Sequence, residues 1–233
     1  MTSSLIIGSS RGIGYGITKK LLKENHKVYG LSRTNPYIKS ENYKHTNIDI
    51  SCSDNFKNYL LTQDLNDYDN FIVCAGTNDL AELKDISIER IISLYQINLF
   101  PSFQLLKYIS RTSNIKCKSI VLISSIWSSF GIPGRAMYGS SKAALVGLTK
   151  HASAELSPRS IYINCISPGF TDTELTIKTA KDPYITQALN RTAIGKFQSI
   201  DCISNSIFML LRPHNEGITG QEIFIDSGFS SHA

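Results

Sequence analysis

The chain has 233 residues, 42% of them hydrophobic and 18% charged, a balance that fits a globular protein and excludes the disordered and fibrous classes. Its formal net charge of +5 comes from scattered Lys and Arg residues with no basic run, so nucleic acid is not the expected partner. The apolar runs fall far short of the roughly 20 residues that cross a bilayer, and Met1-Thr-Ser-Ser4 lacks the basic start of a signal peptide. A cytoplasmic protein without a membrane partner is expected. No linker divides the sequence, and a single domain over residues 1–233 is the simplest reading. Cys52, Cys74, Cys117, Cys165 and Cys202 form no Cys-x-x-Cys pair and stand at no metal-ligand spacing from a histidine, so no metal site is indicated; three fall inside or beside strand-like runs, where buried small hydrophobes are the favoured reading.

Leu5-Ile-Ile7 is a short apolar run leading into Gly8-Ser9-Ser10-Arg11-Gly12-Ile13-Gly14, after which Ile13, Ile17 and Leu21 recur at helical spacing. Strand, glycine turn and helix in that order make a corner suited to a phosphate, because glycines let backbone N–H groups approach and a helix start carries partial positive charge. The spacing matches neither the usual dinucleotide fingerprint nor the P-loop, and a tight turn without a ligand is the competing reading. Val28 to Leu31 reads as a second strand, followed by Ser32-Arg33-Thr34. In a Rossmann unit this strand end selects the cofactor, an acid for NAD and an Arg for NADP. Arg33, helped by Arg11, points to NADP(H); the alternative is two ordinary surface charges.

Asn35 to Thr46 is polar, contains Pro36 and reads as a loop where a crossover helix could have been. Asn47-Ile48-Asp49-Ile50 reads as a strand end, with Asp49 facing either an adenine ring or solvent. Residues 53 to 62 are weakly helical, and Phe71 to Cys74 is an apolar run typical of a covered parallel strand, ending in Ala75-Gly76. Ile88 to Ser110 reads as one long amphipathic helix with Asn98 in its middle. Pro101 is expected to bend it by removing the bond to the Ile97 carbonyl, leaving a place for a water beside Asn98; a merely solvated Asn98 is the alternative.

Ile120 to Ile123 is the next strand, ending in Ser124-Ser125. After a loop containing Gly131 and Gly134, a helix begins near Tyr138 and carries Leu145, Leu148, Ala152 and Leu156 on one side. Within it Tyr138 and Lys142 lie one turn apart, about 5–6 Å between Cβ atoms. An ammonium beside a phenol of reference pKa about 10 favours the phenolate, so the pair reads as a tuned acid/base or, alternatively, as a solvated helix face. Ile161 to Ile166 is a strand ending in Ser167-Pro168-Gly169-Phe170-Thr171-Asp172-Thr173. Residues 174 to 198 are polar and lack a period, which suits a segment covering a site. Ser199 to Leu211 reads as a helix and Gly220 to Asp226 as a last strand. Alternating strands and helices predict an α/β doubly wound parallel sheet of about seven strands, its candidate residues along the carboxyl edge.

Taken together, Gly8-x-x-x-Gly12-x-Gly14, Cys74-Ala75-Gly76, Asn98, Ser125, Tyr138-x-x-x-Lys142, Pro168-Gly169-x-x-x-Thr173 and Gly220-Gln221 through Asp226 stand in the order found in the short-chain dehydrogenases/reductases. The chain resembles their single-domain branch over nearly its whole length, and most closely the 3-oxoacyl-carrier-protein reductase type. The resemblance implies a Rossmann-type fold and a hydride transfer between NADP(H) and a carbonyl. Ser125 would hold the carbonyl oxygen, Tyr138 would give it a proton, Lys142 would tune the tyrosine and bind the nicotinamide ribose, and Asn98 would hold a relay water. Ser124 is the alternative to Ser125, which the thirteen-residue offset to Tyr138 favours. The cofactor contacts implied are Gly8, Ser10, Arg11, Gly12, Ile13 and Gly14 at the pyrophosphate, Arg33 at the adenosine ribose and Asp49 and Ile50 at the adenine. Ala75 and Gly76 would lie at the ribose side, and Pro168, Gly169, Thr171 and Thr173 at the nicotinamide.

The implied substrate is a small carbonyl compound, free or carried on acyl-carrier protein or coenzyme A, with a keto-sugar as the alternative. A non-catalytic dinucleotide sensor and a nucleotide-sugar epimerase are the other readings. Arg135, Lys178, Lys181 and Lys196 could face an acidic carrier, an anionic metabolite or water. A homodimer or homotetramer packed through residues 88–110 and 138–156 is implied by analogy. Cys74 departs from the Asn common in the family, the 35–46 segment is short, and the last turn is Asp226-Ser227-Gly228 where two glycines are common.

Overall fold

The strands expected from apolar runs pair into one parallel sheet of seven in the computed structural model, which describes residues 1–172 and 183–231. In chain order they are β1 (Ser3–Ile7), β2 (Lys27–Ser32), β3 (Tyr43–Asn47), β4 (Asn70–Val73), β5 (Ser119–Ile123), β6 (Tyr162–Pro168) and β7 (Glu222–Ile225). Their spatial order is 3-2-1-4-5-6-7, every neighbour parallel, so the connections reverse direction between β1 and β4. This is the doubly wound Rossmann arrangement, and its crevice opens at that reversal.

The helices are α1 (Gly12–Lys23), α2 (Ser53–Thr62), α3 (Ile88–Asn98), α4 (Phe100–Arg111), α5 (Ala136–Leu156), α6 (Pro183–Asn190) and α7 (Ile200–Leu210). Side chains alternate across each strand, so each apolar run feeds two layers. Leu5 and Ile7 pack with Leu105, Ile109 and Leu145 from α4 and α5, while Ile6 packs with Ile17 and Leu21 of α1 and Ile203 and Ile207 of α7.

Three expectations need correction. The stretch Asn35 to Thr46 is not all loop: from Tyr43 it forms β3, whose polar side chains suit an edge strand open to solvent. The helix expected over 88–110 is broken rather than bent. Leu99 takes φ −120° and ψ −50°, ending α3 at Asn98, and Pro101 falls in the first turn of α4, where its missing N–H costs nothing. Finally, residues 174–198 contain a helix, α6, and the chain returns through a bridge between Thr171 and Gln198. Thr173, Lys178 and Lys181 lie outside the described residues. Cys117 and Cys165 are buried, as expected of small hydrophobes, whereas Cys52 and Cys202 are exposed.

Candidate active site

The glycine corner lies at the reversal point. Gly8 has φ +92°, open to glycine and strained for other residues, and its N–H donates to the Leu31 carbonyl at 2.7 Å. A Cβ on Gly14 would sit 1.9 Å from the Gly8 carbonyl oxygen, so the turn closes only around a hydrogen. α1 begins at Gly12 with no side-chain cap, no acid in its first turn and Arg11 at the capping position. Its first N–H groups and dipole are thus left to an anion, with nothing negative to repel it. Across the crevice, a Cβ at Gly76 would come within 3.2 Å of Lys142 Nζ and 3.5 Å of Asn98 Oδ1. These glycines keep clear a cradle of the shape a dinucleotide's pyrophosphate and ribose need.

At the adenosine end Arg33 and Arg11 are both exposed. Asp49 is turned onto its own loop: its Oδ1 accepts from Ser51 N at 3.0 Å and from Ser51 Oγ at 2.7 Å. These bonds, opposed by partial burial and aided by the charge of Arg33, hold its carboxyl below the usual range.

The reacting end is built by β4, β5, α3 and α5. Asn98, 1% exposed, ends α3 and spends its amide as a clamp. Its Oδ1 accepts from Thr77 N at 2.8 Å, and its Nδ2 donates to the Thr77 carbonyl and to Ser141 Oγ, both at 3.0 Å. Ser124 Oγ donates to the Lys142 carbonyl at 2.9 Å, fastening β5 to α5. Ser125 instead directs its hydroxyl to the Tyr138 phenol while its oxygen accepts from Trp127 N at 3.3 Å. The structure thus brings together Asn98, Ser125, Tyr138 and Lys142.

Lys142, 4% exposed, donates from Nζ to the Ile123 carbonyl at 2.9 Å and lies 5.8 Å from the centre of the Tyr138 ring. Burial pushes its ammonium down to about 8, against the opposing pull of the buried Cys165 thiol and the half-buried Cys74 thiol. Burial pushes the Tyr138 phenol up, with the Ser125 hydrogen bond and the Arg135 guanidinium opposing. Helical spacing alone expects Lys142 to be the depressing charge. In the structure Lys142 Nζ donates to the Ile123 carbonyl, and the Arg135 guanidinium, 7% exposed, stands at a similar distance from the ring centre, 5.9 Å, and opposes the rise of the phenol.

Two further features went unread in the sequence. Glu222 Oε1 accepts from Ser128 Oγ and Ser167 Oγ, both at 2.6 Å, and Oε2 from Ser129 Oγ at 3.3 Å. Because Ser128 Oγ, whose single proton is shared between the two acceptors, also lies 2.6 Å from the Ser125 carbonyl oxygen, this carboxylate ties the turn carrying Ser125 to β6 and β7. Around Tyr138 stands an aromatic cluster in which Trp127 meets Phe170 at 5.7 Å and Phe229 at 5.9 Å, edge to face, and Phe130 meets Phe229 at 5.3 Å. On the nicotinamide side, Thr171 Oγ1 donates to the Gly169 carbonyl at 3.1 Å, and a Cβ on Gly169 would meet Asp226 Cα at 2.7 Å. Pro168 ends β6, directly before that close approach.

An anion-ready corner beside a half-buried phenol and a buried ammonium is the equipment of a dinucleotide-dependent oxidoreductase. Sequence comparison narrows this. The chain belongs to the short-chain dehydrogenase/reductase family: the family model described as enoyl-(acyl carrier protein) reductase matches residues 7–230. It is 28% identical to the 3-oxoacyl-(acyl-carrier-protein) reductase FabG of Chlamydia trachomatis over 244 residues, 98% of this chain and 97% of that one. It is also 28% identical to carbonyl reductase (NADPH) 2 of Sus scrofa over 233 residues, 97% of this chain and 95% of that one. The solved structure of 4-hydroxyisoleucine dehydrogenase complexed with NADH superposes with a TM-score of 0.91 over 100% of both chains, at 28% identity. Among the described residues no helix is long and apolar enough to cross a membrane, and no cluster of His, Cys, Asp and Glu could hold a metal ion.

Proposed function

We propose that this chain reduces a ketone to a secondary alcohol with NADP(H), and that a 3-oxoacyl thioester on acyl-carrier protein or coenzyme A is the first substrate to test. The observation that carries the reading is the Tyr138 phenol, kept protonated by burial and held by Ser125 within the aromatic cluster. The glycine-lined cradle fits the cofactor, which when bound supplies the hydride. Ser125 and Tyr138 hold the substrate oxygen between two hydroxyls, and Tyr138 delivers its proton there. Lys142 replaces that proton from its own, and its depressed ammonium makes it a ready donor near neutral pH. Asn98 keeps the Gly76–Thr77 loop and α5 in register, and it is the residue beside which a relay water would be held.

The choice of NADP(H) is supported by Arg33 and Arg11 and by the absence of an acid at the end of β2. The pig relative is named for NADPH, while the solved neighbour is a complex with NADH, so the reading rests on this chain's own residues. The thioester is supported by the name of the chlamydial relative. A homodimer or homotetramer is supported by exposed Ile88, Ile92, Phe100 and Phe103 on α3 and α4.

The test is NADPH oxidation with acetoacetyl thioesters, keto-sugars and simple ketones, in the wild type and Tyr138→Phe. The variant should lose roughly 100-fold or more in kcat while still binding NADPH. Wild-type turnover retained in the variant would end the proposal.

A further inference from the structure

A hydrogen-bonded group outside the reacting end faces the adenosine side of the crevice. Tyr43 Oη lies 2.9 Å from His45 Nδ1 and 3.4 Å from Ser9 Oγ in the glycine corner, and His45 Nε2 lies 3.5 Å from Ser32 Oγ. The register Val28↔Tyr43, Gly30↔His45 and Ser32↔Asn47 puts these side chains on one face of the sheet, with Lys27 and Lys44 on the other. Gly30 makes room for them: a Cβ there would sit 2.3 Å from Tyr43 Oη and 2.5 Å from Ser9 Oγ. Ser32 ends β2, where a Rossmann unit reads the ribose 2′ position, and Arg33 follows it.

The described groups facing His45 are Ser32 from β2 and Tyr43 and Asn47 from β3, with Ser9 reached through Tyr43; none is a carboxylate. The charges flanking this group in the chain are Arg33 beyond β2 and Arg11 in the glycine corner. Burial holds the imidazole below its ordinary range, opposed by hydrogen bonds to the Ser32 backbone and the Asn47 side chain, and burial keeps the Tyr43 phenol neutral.

We propose that His45 is a proton-responsive specificity determinant for the adenosine 2′ position. A 2′-phosphate seated beside Ser32 and Arg33 draws a proton from solvent onto His45, so that affinity for NADP(H) relative to NAD(H) gains a contribution as pH falls. This rests on the NADP(H) reading above. The phosphate itself takes a proton near pH 6, which works in the opposite direction. The variant comparison separates the two, because the phosphate is common to both proteins.

Calorimetric titration with NADP⁺ and with NAD⁺, at pH 6.0 and 8.0, on wild type, His45→Gln and Arg33→Ala tests this. For His45→Gln, the ratio of NADP⁺ to NAD⁺ affinity should fall about fivefold at pH 6.0, the worth of a partly exposed ion pair, and match the wild type at pH 8.0. Equal ratios at both pH values would overturn the role of His45. Failure of the wild type to prefer NADP⁺, or of Arg33→Ala to weaken that preference, would instead overturn the underlying cofactor reading. Should His45→Gln not fold, the His45 ring resonance of the wild type, followed by NMR against pH, must titrate higher with NADP⁺ bound than with NAD⁺ bound. Identical titrations would overturn the proposal.

Discussion

Replacing Asn98 with alanine isolates the clamp between the two halves of the reacting end. The side chain makes three hydrogen bonds, to Thr77 N, the Thr77 carbonyl and Ser141 Oγ, and is 1% exposed. Each bond contributes a net of about 1 kcal/mol, and partners stranded without water cost more, so Asn98→Ala should lose about 2–4 kcal/mol. For a chain of this size that is a fall in Tm of roughly 4–16 °C. Asn98→Asp separates geometry from chemistry, since a carboxylate still accepts from Thr77 N but cannot donate to the Thr77 carbonyl or to Ser141. Differential scanning calorimetry gives the stabilities, and NADPH titration gives the consequence for the Gly76 side of the cradle, which should weaken in both variants. An alanine variant that melts within 1 °C of the wild type and binds NADPH unchanged would refute the assignment of Asn98 as a clamp.

Gly14→Ala places a Cβ 1.9 Å from the Gly8 carbonyl oxygen, a contact that no side-chain rotation relieves because the methyl is fixed to its Cα and the oxygen it meets is backbone. Dinucleotide affinity, measured by equilibrium titration, should fall at least tenfold, and unchanged affinity would mean that the corner is not the phosphate site. Arg135→Gln removes the guanidinium that pulls the Tyr138 phenol down. The sign follows: the phenol titrates still higher, so the pH at which alcohol oxidation becomes fast, which requires phenolate, moves up. Ketone reduction requires the phenol and keeps its neutral-pH limb. Steady-state profiles in both directions check this, and an oxidation limb that stays in place would show that Arg135 does not act on the phenol.

The sheet was legible because burial on both faces leaves its mark on sequence: Leu5-Ile-Ile7 and Ile120 to Ile123 have no polar side to show. β3 carries no such mark. It lies at the sheet edge, and Tyr43, Lys44, His45, Thr46 and Asn47 obey no apolar rule because solvent takes one side. Pro101 was visible as a disturbance, but whether a helix bends or breaks depends on Leu99 leaving helical geometry, which residue identity does not encode. Ser125, Tyr138 and Lys142 could be aligned by spacing on β5 and α5. The partner of each hydroxyl and ammonium could not, since Ile123, Ser141 and Thr77 are ordinary residues until the fold sets them face to face.

The aromatic cluster shows why that tertiary layer matters for the chemistry. Trp127, Phe130, Phe170, Phe197, Phe224 and Phe229 come from four separate stretches of sequence and share no local period, yet they converge beside Tyr138. By excluding water they raise the phenol, and a raised phenol is a proton donor rather than a base across the neutral range. The same exclusion lowers the Lys142 ammonium to about 8, so two groups of nearly equal proton affinity in water are driven apart, the phenol holding its proton more tightly than the ammonium does. Burial therefore favours the neutral forms of both groups, and on the proposed mechanism that bias runs towards reduction. In that mechanism the hydroxyl keeps the proton that a carbonyl oxygen needs, and the ammonium next to it releases its own readily enough to replace it. Oxidation asks for the phenolate, the form this environment disfavours, and so should need a higher pH, the Ser125 hydrogen bond and the Arg135 guanidinium offsetting only part of that cost.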